Sequence, residues 1–410
     1  MVVDPFTVAG KIDYEKLIVN FGSQRISEDL LRRLEKLIVK PGLKLHRFLR
    51  RGIFFSHRDL DKICDLLEKK QPFYLYTGRG PSSAAMHLGH LVPFMMTQWL
   101  QEAFGVPLVV QMTDDEKFLW KGTYSEKTGF DLDEYRALTV ENAKDIVACG
   151  FDKERTFIFS DCDYVGAMYP NILKIQKSVT YSQAKGAFGF DGSSNIGQSA
   201  FPAVQAAPSF ATSFPIPLKN FSSDVSLAPC LIPCAIDQDP YFRVTRDVAH
   251  KLVPKAHPLG GKPALVHSKF FPPLTGARGK MSSSTAGGDA PTAVFLTDTP
   301  EAIERVIKTH AFSGGRETAK LQRDLGADLD NDVAFQWLTF FLEDDDELDT
   351  IRRQYGSGTG HYWNTAAVKA KLVTVLQDIV ARHQQNRAAI TDLPDWFAVR
   401  PLAPPHVLQS

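Results

Sequence analysis

Residues 73–94 read FYLYTGRGPSSAAMHLGHLVPF, and few architectures accept such a run. Phe73, Tyr74, Leu75 and Tyr76 cluster as a buried strand does, Gly78, Gly80 and Pro81 stop it, and Ser82-Ser83 supply a helix start. A strand entering a helix through a glycine turn points backbone N–H groups and the positive helix end at an anion, and Arg79 adds charge. No Gly-Lys-Ser/Thr follows, so the common phosphate loop is excluded. His87 and His90 stand one helical turn apart, and Gly89 between them lets a flat ligand lie against the backbone. Four residues of this kind also occur as an ordinary pair of helix histidines, so alone they leave both readings open.

A second signal lies far downstream at Gly279-Lys280-Met281-Ser282-Ser283-Ser284, with Arg278 before it and Gly287-Gly288 after. One ammonium and three hydroxyls on a glycine-flanked loop suit closure on a polyphosphate, although such a run by itself also reads as a linker.

With 410 residues, 44% of them hydrophobic, the chain can bury one large core and a smaller one. Lys+Arg and Asp+Glu both number 47, which excludes a globally basic nucleic-acid binder and leaves any RNA contact to local patches. Among the five cysteines only Cys230 and Cys234 are close. Without a histidine or second pair nearby they read as reduced thiols, not a zinc site. No apolar run of ~18 residues and no basic-then-apolar start occurs, so a soluble cytoplasmic protein is expected.

In chain order, residues 2–17 read as two short strands turning at Gly10-Lys11, and Ser27 caps an amphipathic helix carrying Leu30, Leu31, Leu34 and Ile38. Residues 44–58 set Lys44, Arg47, Arg50, Arg51 and Arg58 around Phe48, Phe54 and Phe55. They read as a helix end with one apolar face, its charges available to RNA. Helix 91–104 and strand 106–112 complete a right-handed crossover whose carboxyl end delivers Gln111, Thr113, Asp114, Asp115, Glu116 and Lys117. A helix at 141–149, a strand at 155–160 and a helix at 171–180 follow. A Gly-, Ser-, Phe- and Pro-rich insertion then holds one helix around 200–213 with Gln205. Strand 230–236 ends in Asp237-Gln238-Asp239 before a helix at 240–252, and strand 264–271 feeds the Lys280 loop. Beyond Thr299 the apolar spacing is helical at 302–310, 333–342, 347–355 and 366–383; Gly314-Gly315-Arg316 interrupts it and residues 394–405 read as a frayed end. The acidic run 343–347 reads as a helix N-terminus and not as a metal site.

Together the two motifs resemble the HIGH and KMSKS signatures of class I aminoacyl-tRNA synthetases, in that order. The stretches YTGRGPSS, VVQMTDDEK, ENAKDIVACGFD, FPAVQAAPSF, CAIDQDPYFRVTRDVA, FLTDT, HAFSGGR and TFFLEDDD are similar to the tryptophanyl-tRNA synthetases of eukaryotic and archaeal cytosolic type, over nearly the whole chain. The resemblance implies an α/β protein. A short extension (1–45) would lie over the active site. A Rossmann-like parallel-sheet catalytic domain (46–298) would carry a connective insertion at about 118–226, and an all-α anticodon-binding domain (299–410) would follow. It implies that Tyr76 and Gln111 read the indole N–H, that Glu116, Gln205 and Gln238 hold the amino and carboxylate ends, and that Gly78 lines that pocket. ATP would meet Gly80, His87, Gly89, His90 and Met281, its phosphates Arg79 and Lys117, and the departing pyrophosphate Lys280, Ser282 and Ser284. The catalytic set would be His87, His90, Lys117 and Lys280. Mg²⁺ would come with ATP and take no ligand from the protein.

By the same resemblance the carboxylate of tryptophan attacks the α-phosphorus, the adenylate passes to a 2′-hydroxyl of tRNA(Trp), and the working form is a homodimer with one tRNA crossing both subunits. Arg316 and Glu317 would face the anticodon. Ser283 stands where the signature has its second lysine, Leu88 replaces isoleucine, and Glu317 is longer than the expected aspartate. The alternatives are a tyrosyl-tRNA synthetase, a small-molecule nucleotidyltransferase, and a non-catalytic signalling or RNA-binding relative.

Overall fold

Seven strands form one sheet in the order Gln24–Arg25, Phe54–Arg58, Ala264–Ser268, Cys230–Ala235, Tyr74–Arg79, Leu108–Met112, Thr156–Ser160. In the computed structural model, which describes residues 2–3, 8–9, 12–276, 293–357 and 363–406, the last five strands are parallel and the two at the edge antiparallel. Leu108–Met112 and Ala264–Ser268 are buried at every position, as parallel strands covered on both faces must be. From Tyr74–Arg79 the chain moves outward to Leu108–Met112 and Thr156–Ser160, then returns to the other side through Cys230–Ala235 and Ala264–Ser268. The order therefore reverses between Tyr74–Arg79 and Cys230–Ala235, and the crevice beyond their carboxyl ends is where such sheets bind ligands.

Several expectations need correcting. The helix after the first motif does not start at Ser82-Ser83; it runs Leu88–Phe104 with His87 as its N-cap. Residues 44–58 are not one helix end. A single turn, Arg47–Arg50, stops at Gly52 (φ +60), and Phe54–Arg58 becomes a strand of the sheet, antiparallel to both Ala264–Ser268 and Gln24–Arg25. Its arginines are satisfied within the chain: Arg47 donates to the Phe340 carbonyl (2.8 Å) and pairs with Glu343, while Arg50 and Arg51 each donate through Nε to Asp345 (2.7 Å). The acidic run both opens the helix Asp345–Ser357 and answers these cations.

At the amino end Val2–Val3 pairs antiparallel with Val8–Ala9, so the two strands lie before Gly10-Lys11 and not on either side of it; Gly10-Lys11 lies outside the described residues. The helix Tyr14–Phe21, capped by Asp13 accepting from Lys16 N (3.0 Å), was not expected. The carboxyl end does not fray: Leu393–Phe397 is helical, Leu402 N donates to Pro217 O (2.9 Å), Ala403 N to Glu154 O (2.8 Å) and His406 N to Gly105 O (3.0 Å). This strap returns to the sheet layer. The helices Pro300–His310, Val333–Phe341 and Thr365–Ala388 share one apolar cluster with Leu88–Phe104, so their core is continuous with that of the sheet.

Candidate active site

A cavity of about 490 Å³ opens at the reversal point of the sheet. It gathers Tyr76, Gly78, Arg79, Gly80, His87, Gly89, His90, Gln111, Glu116, Lys117, Gln205 and Gln238. Lys280, Met281, Ser282 and Ser284 lie outside the described residues, but the chain that follows them is tied to the first motif. Leu88 N donates to Val294 O (3.0 Å) and Leu296 N to Met86 O (2.9 Å), with His87 bridged to Phe295. The first motif is therefore joined by backbone hydrogen bonds to residues 294–296, downstream of the second.

The rings of His87 and His90 stack at 3.5 Å and 17°, and His87 N donates to His90 Nδ1 (3.2 Å). Gly89 is closely surrounded: a Cβ there would stand 3.1 Å from His87 Cε1 and 3.3 Å from Phe271 Cδ1. On the opposite wall Thr113 Oγ1 and Lys117 Nζ donate to the two oxygens of Glu116 (2.7 and 2.8 Å). Arg79 donates through Nε to Asn142 Oδ1 (2.9 Å), while its buried Nη2 has no partner among the described residues. Burial pulls its guanidinium down to about 10, against the pull of Asp145 and Glu116, so it remains a cation at neutral pH.

The other end of the cavity is an apolar slot with a polar floor. Ile232, Val92, Phe94 and Phe242 line it, and the Phe242 ring meets Tyr76 edge-on at 6.1 Å. Tyr76 OH lies 2.5 Å from Gln111 Oε1 and 2.9 Å from Gln205 O; burial pushes its ionisation far above the ordinary phenol range, so it stays a hydroxyl. Gln205 Nε2 approaches Gln238 Oε1 at 3.5 Å.

Of two carboxyls beneath this floor, Asp115 belongs to the stretch already singled out at the strand end, while Asp161 escaped the sequence reading. Asp161, directly after Thr156–Ser160, accepts from Gln111 Nε2 at 2.8 and 3.0 Å. Burial, then the charge of Asp115, raises it well above the carboxylate range, and burial pushes Asp115 to about 6. The rule that strand carboxyl ends hold function points at Asp161, as it did at Gln111. The pair makes stability depend on pH. An unfolded Asp115 ionises near 3.8 and the folded one near 6, so the folded chain binds more protons and stability falls as pH rises between those values. Asp115→Asn removes this proton uptake. Its melting temperature should gain on the wild type as pH climbs from about 4 to about 7, by differential scanning fluorimetry; a constant gap would contradict the assignment.

Arg316 lies elsewhere. It lines a second cavity, of about 980 Å³, among the carboxyl-terminal helices with Arg352 and Arg353, and its Nε donates to Gly326 O (2.8 Å). Glu317 is exposed and is not part of that lining. Among the described residues no cluster of three His, Cys, Asp or Glu side chains is placed to hold a metal ion, and no helix is long and apolar enough to cross a membrane.

A parallel sheet with a histidine-bearing strand-to-helix turn at its reversal point, tied to the chain that follows a lysine–serine motif, defines the class I aminoacyl-tRNA synthetase catalytic unit. Residues 68–375 match the model of the class I tRNA synthetases for tryptophan and tyrosine. The chain belongs to that family, on its tryptophan branch of cytoplasmic eukaryotic type. It is 55% identical over 397 residues to the cytoplasmic tryptophan–tRNA ligase of Bos taurus, covering 95% of this chain and 78% of the relative. Against the Arabidopsis thaliana enzyme of the same name it is 50% identical, covering 98% and 95%. The solved tryptophanyl-tRNA synthetase of Plasmodium falciparum superposes with a TM-score of 0.82 at 43% identity, covering 95% of both chains.

Proposed function

We propose that the chain activates L-tryptophan with ATP in the 490 Å³ cavity and transfers it to the 3′-terminal adenosine of tRNA(Trp). The observation that carries the reading is the buried Tyr76–Gln111 pair, a polar floor in an apolar slot that continues into the His87–His90 turn and the Nη2 of Arg79, which has no partner among the described residues. An indole has one ring donor. A phenylalanine ring would leave the floor unpaired, and tyrosine would bring its hydroxyl to the wrong place.

In this reading Tyr76 and Gln111 take the indole N–H, Gly78 lines the slot, and Glu116, Gln205 and Gln238 hold the amino and carboxylate ends. His87, Gly89 and His90, with Gly80, seat the nucleotide. Arg79 and Lys117 stabilise the phosphate charge that develops as the substrate carboxylate attacks the α-phosphorus, with Lys280, Ser282 and Ser284 on the departing pyrophosphate and Met281 against ATP. The carboxylate is already ionised at neutral pH, so no general base is needed. Magnesium enters with ATP as part of the substrate. Residues 1–45 cover the cavity: Tyr14 OH accepts from the backbone N of Phe270, which lines it (3.1 Å). Residues 46–298, with their insertion at about 118–226, carry the chemistry. Residues 299–410 receive the anticodon around Arg316 and Glu317, and two chains share one tRNA as a homodimer.

The test is ATP–pyrophosphate exchange with tryptophan, tyrosine and phenylalanine in parallel. Exchange with tryptophan alone supports the reading. Exchange with tyrosine moves the chain to the sister specificity, and no exchange with any of them points to the non-catalytic alternative.

A further inference from the structure

We infer that Asp161 determines specificity for the indole N–H by locking the Gln111 amide in one of its two orientations, with the carbonyl toward the substrate slot. The inference rests on the tryptophan reading of the cavity. The two ends of a glutamine amide have nearly the same shape, so sterics alone do not choose between them; their hydrogen-bond partners do. Gln111 is fully buried, and its Nε2 lies 2.8 and 3.0 Å from the two oxygens of Asp161 and 3.4 Å from the Val204 carbonyl. The proton that burial and the charge of Asp115 keep on Asp161 is engaged in the hydrogen bond between these two carboxyls, so toward Gln111 all three partners are acceptors, and the amide cannot turn without setting its oxygen against them.

Its Oε1 is thereby fixed 2.5 Å from the Tyr76 hydroxyl. Tyr76 has one hydrogen and two carbonyl neighbours, Gln111 Oε1 and Gln205 O. Whichever carbonyl receives it, the groups left facing the slot are acceptors, and an acceptor is what a ring N–H requires. A reversed Gln111 would donate to the phenol and fill the lone pair that the indole uses. Asp161 is buried and does not line the cavity, so it is a positioning residue acting through Gln111.

Asp161→Asn keeps the shape but adds a donor where all partners now accept, which lets Gln111 turn. The probes are L-tryptophan and β-(3-benzothienyl)-L-alanine, whose sulfur replaces the N–H in a ring of the same outline. In pyrophosphate exchange the wild type should prefer tryptophan strongly in kcat/KM. In Asp161→Asn that preference should fall by about tenfold or more, through a raised KM for tryptophan, while the sulfur analogue keeps its rate. In a Gln111→Met background, Asp161→Asn should change nothing further. If Asp161→Asn does not fold, Asp161→Ser introduces a donor in the same place and carries the same expectation. Equal losses for both substrates, or an unchanged preference, would overturn the inference. A wild type that exchanges no pyrophosphate with tryptophan would instead remove the reading on which it rests.

Discussion

Arg79→Met lowers the kcat/KM of tryptophan-dependent pyrophosphate exchange by about 10²–10³-fold, roughly 3–4 kcal/mol of transition-state stabilisation, without lowering the melting temperature. The two halves of this result have one origin. Arg79 donates through Nε to Asn142 and leaves a buried Nη2 with no partner among the described residues, beside the turn that carries His87 and His90. A desolvated cation held this way costs folding free energy, which is why its affinity for the proton drops to about 10. The free N–H groups are placed for an anion that arrives later, and charge developing on a phosphate in a water-poor site is where a fixed guanidinium acts most strongly. Methionine has similar length and no charge, so the folded chain loses a desolvation penalty together with one hydrogen bond to Asn142. Arg79→Lys keeps the charge but not the fork geometry and should fall between the two. Steady-state exchange kinetics and thermal melting on the same three proteins test this, and a fall in melting temperature parallel to the fall in rate would assign Arg79 a structural role instead.

What the sequence disclosed was what repeats locally. The strand, glycine turn and helix of the first motif, the crossover to Leu108–Met112 and the carboxyl-terminal helices each show in the spacing of apolar residues, and the structure places them there. The Tyr76–Gln111 pair was also accessible, because Gln111 lies near the carboxyl end of Leu108–Met112 and Tyr76 in the strand of the first motif. The pairings between distant segments were not accessible. The Arg47–Arg51 cluster looked available to RNA because its partners, Glu343 and Asp345, lie nearly three hundred positions away. In HAFSGGR the glycines looked like a break between helices. They are packing sites: a Cβ on Gly314 would stand 2.0 Å from the Asp328 carbonyl and one on Gly315 2.3 Å from Thr365 Oγ1. Gly314 N also donates to the buried Asp332 (2.9 Å), which receives the Tyr355 hydroxyl as well (2.8 Å). Asp161 acts only through a glutamine fifty residues earlier, so no window of sequence contains its role.

Asp145→Ala destabilises the chain by about 3 kcal/mol and raises the KM for ATP several-fold, because one helix carries both the support of the first motif and its link to the carboxyl-terminal helices. Helix Leu132–Val147 faces two ways. Toward the sheet, Asn142 holds Arg79 and donates to Ser83 O (2.7 Å), and Asp145 Oδ2 accepts from Met86 N (3.3 Å), just before His87. Toward Thr365–Ala388, Asp145 Oδ1 accepts from Arg387 Nε (2.9 Å) and lies 3.3 Å from His383 Nε2, while Glu141 accepts from Arg387 Nη2 (2.5 Å). The same long helix reaches the other flank of the motif, where Gln384 donates to Leu296 O (2.9 Å) and Asp298 O (3.1 Å). The turn of the first motif is therefore braced on both flanks through one carboxyl-terminal helix. Removing Asp145 leaves a half-buried Arg387 with Glu141 alone and frees the Met86 amide. A double-mutant cycle with Arg387→Ala separates the parts: because the two side chains share a bond, the pair should lose about 1–2 kcal/mol less than the sum of the single losses in urea unfolding. Strict additivity would show that Asp145 supports the turn without the long helix. In that case Arg387→Ala alone would leave the KM for ATP unchanged.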